Sequence, residues 1–216
     1  MRPLALPLLL VLIGLHGSCC ERYSHSAGAE SRSAAPPEAD QFNGTLYGAC
    51  RMRPSTKLPE GEPKVYGRVL FRQDGPVAPL QVLFRLHGLP ADSGQVRAVH
   101  VHQYGDMSDG CDSTGGHYNP HGEAHPGHPG DFGNFAPRRG RIRERREAEG
   151  ATFFGGLSVL GRAVVIHEKE DDLGRGGDAG SKLHGNAGRR LACCVIGISS
   201  PKLWDKTIPH QRKTSG

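Results

Sequence analysis

Bulky apolar residues in this chain fall in short runs separated by glycine, proline and charge. Beyond an apolar N-terminal stretch the runs are Phe42–Cys50, Val65–Phe71, Leu80–Leu86, Arg97–Gln103, Ala151–Leu160, Arg162–His167 and Leu191–Ile198. Runs this short, with turn residues between them, predict strands, and their number predicts an all-β sandwich or barrel. No long segment places its apolar residues at a helical period, and no internal repeat is present. Arg138–Gly150 departs from the pattern, and its polarity predicts a surface excursion with one or two helical turns. The Gly-rich charged stretch from Glu168 to Gly177 predicts a loop between two strands.

One predicted strand carries chemistry. In Ala98-Val99-His100-Val101-His102 the period of two sends both histidines to one face and both valines to the other. The valines suit a core and the histidines a site. His117, His121, His125, His128 and Asp131 follow in a Gly/Pro-rich stretch that predicts a folded-back loop, able to bring distant ligands together. His100 and His102 alone would read equally well as exposed strand residues; joined to the later cluster they read as ligands. Four imidazoles suit copper in a tetragonal site, and three with one carboxylate suit tetrahedral zinc. Both sets are available if His117 is shared: His100, His102, His117 and the more distant His167 for copper, and His117, His125, His128 and Asp131 for zinc. His121-Gly-Glu-Ala-His125 lacks the spacing and the helix of a zinc protease motif.

The ends and the cysteines bear on the compartment. Arg2, the apolar run Leu4–Leu15 and small residues Gly17 and Ser18 predict a signal peptide over about residues 1–18. That run is shorter than the roughly 20 apolar residues of a membrane-spanning helix, and no other stretch approaches that length. Residues 19–41 are rich in Ser, Ala, Glu and Pro and predict a disordered leader. Residues 42–200 then form the domain, and 201–216 a polar, frayed tail whose start Trp204 can dock. A secreted protein keeps disulfides. Cys19 and Cys20 lie at the cleavage boundary, leaving Cys50, Cys111, Cys193 and Cys194 as an even set. The adjacent pair does not suit a mutual bridge, so Cys50 and Cys111 take one partner each. Closing a loop of about 80 residues from Cys111 contributes about 4 kcal/mol on the chain-entropy view. Asn43-Gly44-Thr45 is a glycosylation sequon.

The chain as a whole resembles a known family. His100-Val101-His102-Gln103-Tyr104-Gly105-Asp106, Gly110-Cys111, Gly116-His117-Tyr118-Asn119-Pro120, His125 through Asp131, and Gly185 through Cys193 are similar, in that order, to the motifs of copper/zinc superoxide dismutases. The signal peptide, the Cys193-Cys194 doublet and Leu203-Trp204 resemble the family's extracellular branch. The resemblance implies an eight-stranded Greek-key barrel or sandwich with long metal-binding and electrostatic loops. It implies secretion, one copper and one zinc per subunit on the two ligand sets above, and superoxide anion as substrate. It further implies catalytic roles for His117 and for Arg190, the latter attracting and orienting the anion. Asp171 would link the metal sites by accepting hydrogen bonds from His100 and His125. The implied disulfides are Cys111–Cys193 and Cys50–Cys194, and the implied assembly is a homodimer or tetramer.

Charge adds little to this. The formal net charge of +5 favours acidic extracellular partners rather than nucleic acid in particular. Arg138, Arg139, Arg141, Arg143, Arg145 and Arg146 form the densest basic run, but Glu144, Glu147 and Glu149 interleave with it. It reads first as a solvated face and second as a weak site for sulfated glycans. The tail offers only scattered cations, Lys202, Lys206, Arg212 and Lys213, where a dense polybasic segment would be needed for tight glycan binding.

Overall fold

The computed structural model describes residues 37–91 and 94–208. The expected signal peptide, most of the expected leader and the end of the tail lie outside the described residues. Among the described residues ten strands form two antiparallel sheets: β1 (Thr45–Cys50), β2 (Arg53–Pro54), β3 (Tyr66–Asp74), β4 (Leu80–His87), β5 (Arg97–His102), β6 (Asp131–Phe135), β7 (Arg141–Ala148), β8 (Ala163–His167), β9 (Arg190–Val195) and β10 (Gly197–Ile198). Eight of these have five or more residues; β2 and β10 are two-residue additions at sheet edges. One sheet has the order β10-β1-β3-β4-β7 and the other β2-β9-β8-β5-β6. The architecture is therefore a sandwich of two open sheets, and among the described residues no strand pairing closes a barrel.

The core lies between the sheets. Alternate residues of the first sheet, among them Val69, Phe71, Val82, Phe84 and Leu86, meet Val99, Val101, Val164, Ile166 and Cys194 of the second. This is the period-two pattern of a half-covered strand. The other face of the second sheet carries His100 and His102, beside Val165 and Cys193, whose packing with Cys111 is separate from the main core. Two long connections, 103–130 and 168–189, follow β5 and β8, the strands that carry these histidines.

The structure departs from four expectations. Arg138–Gly150 holds strand β7, paired with β4 along its whole length, and no helix. Its inward positions include Glu144 and Arg146, which masks the alternation. The Arg146 guanidinium lies 3.9 Å from the Phe135 ring centroid and donates to the carbonyls of Phe132 and Asn134, so a charged residue fills an inward place with its donors satisfied. Ala151–Leu160 is a loop; its Thr152–Ser158 bridge is all that remains of the expected strand. The frayed-tail expectation fails at Pro201–Thr207, which is a helix with Pro at its first turn. Trp204 on that helix is buried against Leu70 and Leu83, on the first sheet's outer face. At the other end, Pro37–Gln41 forms a short helix where the leader was expected to be disordered. Asn43 is exposed just after it.

Candidate metal centre

Strand geometry brings the histidines together. His100 and His102 sit on β5 opposite Val165 and Ala163 of β8. The β8–β9 register shifts between Ile166 and His167, and the β5–β6 register shifts between Ala98 and His100. Bulges of this kind re-aim side chains beside sites. The 103–130 loop returns so that His117 bridges to His102 and His125 and His128 lie beside Asp131 at the start of β6. The candidate donor atoms of His100, His102, His117 and His167 lie within 4.8 Å of one another, as do those of His117, His125, His128 and Asp131. All six histidines are buried.

Proton accounting shows which atoms are free to ligate. The His102 Nδ1–H donates to the Gly115 carbonyl at 2.9 Å, and the His167 Nδ1–H to the Gly188 carbonyl at 3.3 Å. A carbonyl only accepts, so in the neutral rings both Nε2 atoms carry lone pairs. These two atoms are 3.2 Å apart. Facing lone pairs repel, and a cation held by both relieves the repulsion. His100 and His125 donate from Nε2 to the two oxygens of Asp171, at 2.8 and 2.7 Å, which leaves His100 Nδ1 buried without a hydrogen-bond partner and turns His125 Nδ1 to Asp131 Oδ2 at 2.9 Å. The His128 Nε2–H donates to the Glu123 carbonyl at 3.0 Å, so its Nδ1 is also a lone pair, 3.0 Å from Asp131 Oδ2. His117 is oriented with Nδ1 3.0 Å from Asp131 Oδ1 and with Nε2 buried and unpartnered. Its two nitrogens therefore serve the two sets. Seven imidazole nitrogens, two of them from His117, and one carboxylate thus converge on two places. Orphaned buried polar atoms are rare in proteins, and this donor set fits one copper and one zinc.

The charges agree with that fit. Burial, with the neighbouring histidines and Arg190, holds His102 and His167 well below the usual imidazole range. Burial likewise lowers His117 to about 4, against the pull of Asp131. For His125 burial acts downward but is outweighed by Asp131 and Asp171, which raise it to about 9. Burial pushes the two carboxyls upward, yet the imidazoles around them hold both well below the ordinary carboxylate range. Two permanent negative charges are therefore built into the centre.

Arg190 stands beside one set, half-buried at the start of β9. It donates from Nη1 to the carbonyls of Cys111 and Asp112, at 2.9 and 3.2 Å, and to Thr114 Oγ1 at 3.0 Å. The segment it grips is tied to β9 by the Cys111–Cys193 disulfide, and Cys50–Cys194 joins β1 to β9 from the core side. Adjacent residues of a strand face opposite ways, which is how one doublet serves two bridges. A cavity of about 450 Å³ opens over the site, lined by Arg190, His102, His117 and His167 with Leu183 and His184 on the short helix Ala179–His184.

Every predicted ligand lies in this cluster, and so do Asp171 and Arg190; His121 is exposed and apart from it. Sequence reading missed the supports. Asn134 clamps the Asp171 backbone in both directions, accepting from its N–H at 2.7 Å and donating to its carbonyl at 2.8 Å. Asn119 does the same for Glu123, whose carbonyl holds His128. A lone Asn, whether on a strand like Asn134 or in a loop like Asn119, carries no signal of this kind. Gly185 does: it caps the short helix at φ 63°, and a Cβ there would lie 2.0 Å from Asp171 Oδ1.

Fold and site together define a β-sandwich protein with two buried clusters of potential metal ligands, both of which include His117. The comparisons make this specific. The profile of copper/zinc superoxide dismutase matches residues 65–196. The extracellular superoxide dismutase [Cu-Zn] of Oryctolagus cuniculus is 55% identical over 162 residues, which cover 74% of this chain and 66% of the relative. That of Homo sapiens is 53% identical over 165 residues, covering 76% and 69%. The superoxide dismutase [Cu-Zn] of Botryotinia fuckeliana is 41% identical over 147 residues, 65% of this chain and 94% of the relative. The chain belongs to the copper/zinc superoxide dismutase family. It spans about two thirds of the length of the extracellular relatives it matches.

Proposed function

We propose that this chain is a secreted copper/zinc superoxide dismutase. Two superoxide anions and two protons give oxygen and hydrogen peroxide, one anion losing an electron and the other gaining it. Copper, when bound by His100, His102, His117 and His167, supplies the one-electron exchange, and zinc, when bound by His117, His125, His128 and Asp131, supplies a fixed positive charge. The observation that carries the reading is the convergence of buried imidazole nitrogens and one carboxylate on two places that share His117.

The chain's own groups do the rest. Asp171 fixes the tautomers of His100 and His125, so that Nδ1 of each faces the centre. Arg190 sets a cation at the cavity floor, where it attracts and orients a small anion; three fixed acceptors hold its guanidinium in place. His117 Nε2, on the cavity wall, can hold a proton close to the bound anion. Secretion fits the signal-like N-terminus and the extracellular relatives. A homo-oligomer, weak affinity for sulfated glycans and glycan on the exposed Asn43 complete the reading.

Superoxide consumption by the purified chain, with copper and zinc counted per subunit in the same sample, tests it. Near-stoichiometric metals with fast, cyanide-sensitive turnover are expected. Full metal occupancy without turnover would make the chain a metal-binding module on a dismutase scaffold.

A further inference from the structure

The turn that follows β5 brings a thioether onto a disulfide. Met107 Sδ lies 3.6 Å from Cys193 Sγ. Cys193 is bridged to Cys111 and has no S–H to donate, so this is a packing contact of two sulfurs. Both cysteines are buried, whereas Met107 is 37% exposed. A residue placed in this way stands between the buried sulfur and water. The turn is pinned on either side of it. Asp106 Oδ1 accepts from the Ser108 N–H at 2.8 Å, the Asp106 carbonyl accepts from Ser113 Oγ–H at 3.0 Å, and the Asp109 N–H donates to the same hydroxyl oxygen at 3.1 Å. The bridge beneath Met107 ties to β9 the segment whose Cys111 and Asp112 carbonyls hold Arg190. Among the described residues the other methionine, Met52, is buried in the core, and all four cysteines are in disulfides. Met107 is therefore the accessible, oxidisable sulfur of the described chain.

We propose that Met107 is an oxidation site for hydrogen peroxide and, in its reduced form, the cover of the Cys111–Cys193 disulfide. The thioether sulfur attacks one peroxide oxygen: an S–O bond forms, the O–O bond breaks, and sulfur gives up two electrons. The proton of the transferred oxygen passes to the departing hydroxide, which leaves as water, so the products are a sulfoxide and water. No metal or further reductant enters the step. The source of the peroxide rests on the dismutase reading above; the chemistry at sulfur does not. The product no longer suits the contact. A sulfoxide oxygen needs a hydrogen-bond donor, and neither sulfur of the bridge can supply one, so the oxidised side chain turns to water and uncovers the disulfide. Attack by an external thiolate depends on access, so oxidation of Met107 raises the rate at which Cys111–Cys193 is reduced. Reduction in turn frees the segment that holds Arg190.

The test exposes the full chain, carrying both metals, to hydrogen peroxide and follows each methionine peptide by mass spectrometry. Met107 should gain one oxygen at least about tenfold faster than Met52, and equally fast after copper is removed. Dithiothreitol is then added, and the freed thiols are trapped with iodoacetamide and located by peptide. In the oxidised chain Cys111–Cys193 should open at least about threefold faster than in the parent, while Cys50–Cys194 in the core keeps its rate. Methionine sulfoxide reductase should restore the slow opening. Met107→Leu conserves volume and has no sulfur to oxidise, so its bridge should open at the reduced parent's rate with or without peroxide. Equal oxidation of Met107 and Met52 would overturn the site, as would oxidation that disappears with copper. An unchanged opening rate in the oxidised parent, or faster opening of Met107→Leu after peroxide, would overturn the covering role. A chain that gains oxygen at Met107 but fails to consume superoxide would support the site and overturn only the dismutase reading.

Discussion

Replacing Asp171 by Asn keeps the shape of the side chain and removes one acceptor. In the parent, Oδ2 accepts from His100 Nε2 at 2.8 Å, and Oδ1 accepts from His125 Nε2 and the Leu173 N–H, both at 2.7 Å. All three side chains are buried, so no water can substitute. An amide has one accepting and one donating end, and in either orientation its NH2 faces an imidazole N–H. That imidazole has two responses. It can stay as it is, with a buried unsatisfied donor costing about 1–3 kcal/mol. Alternatively its proton moves to Nδ1, the atom that would hold the metal. Either response weakens one metal set, by about 10- to 100-fold in affinity. Titration of the metal-free variant with copper and with zinc against chelators of known affinity reads this directly, and circular dichroism checks that the sandwich is intact. Affinities for both metals within about threefold of the parent, in a folded variant, would refute the idea that Asp171 selects the ligating nitrogens.

Other predictions follow from the same geometry. Arg190→Glu should lower the rate of superoxide consumption by about tenfold or more at unchanged copper content, and should weaken or invert its fall with ionic strength; retained activity would remove the steering role. Gly185→Ala puts a Cβ at φ 63° against Asp171 Oδ1 and should lower the metal-free melting temperature and impair metal retention together; loss of stability with normal metal retention would confine the residue to helix capping. The metal-free chain should be most stable near neutral pH. His102, His117 and His167 have lowered folded values, so their contribution is lost as pH falls below about 6.5. His125 is raised to about 9, so its contribution is complete below about 6.5 and is lost as pH rises to about 9. Melting curves from pH 5 to 10 check both limbs, and zinc should abolish the alkaline one, because it takes the place of the His125 proton.

Much of the site was legible in the chain, because its ligands are of distinctive types and one pair sits at strand period. Val99 and Val101 face the core while His100 and His102 face away from it, as alternation requires. The Asp171 and Arg190 roles were legible only through family resemblance, since one carboxylate among three acidic neighbours and one Arg before a strand carry no local signal. The β7 strand was missed because Glu144 and Arg146 occupy inward positions, where only the Phe135 ring and the carbonyls of Phe132 and Asn134 make a guanidinium acceptable. The helix at Pro201–Thr207 was missed because a seven-residue polar segment is helical only where Trp204 finds a partner surface.

The sequence by itself determined the residue types, the alternation that splits core from site along β5, and an even cysteine set. Tertiary structure alone decided which nitrogen of each imidazole is free, because that depends on carbonyls and a carboxylate from distant loops: Gly115 for His102, Gly188 for His167, Asp171 for His100 and His125. It also decided that Arg68, Arg85 and Arg143 form one surface. They lie 17 and 58 residues apart in the chain, and only antiparallel register, a property of paired strands rather than of any one of them, puts their charges side by side.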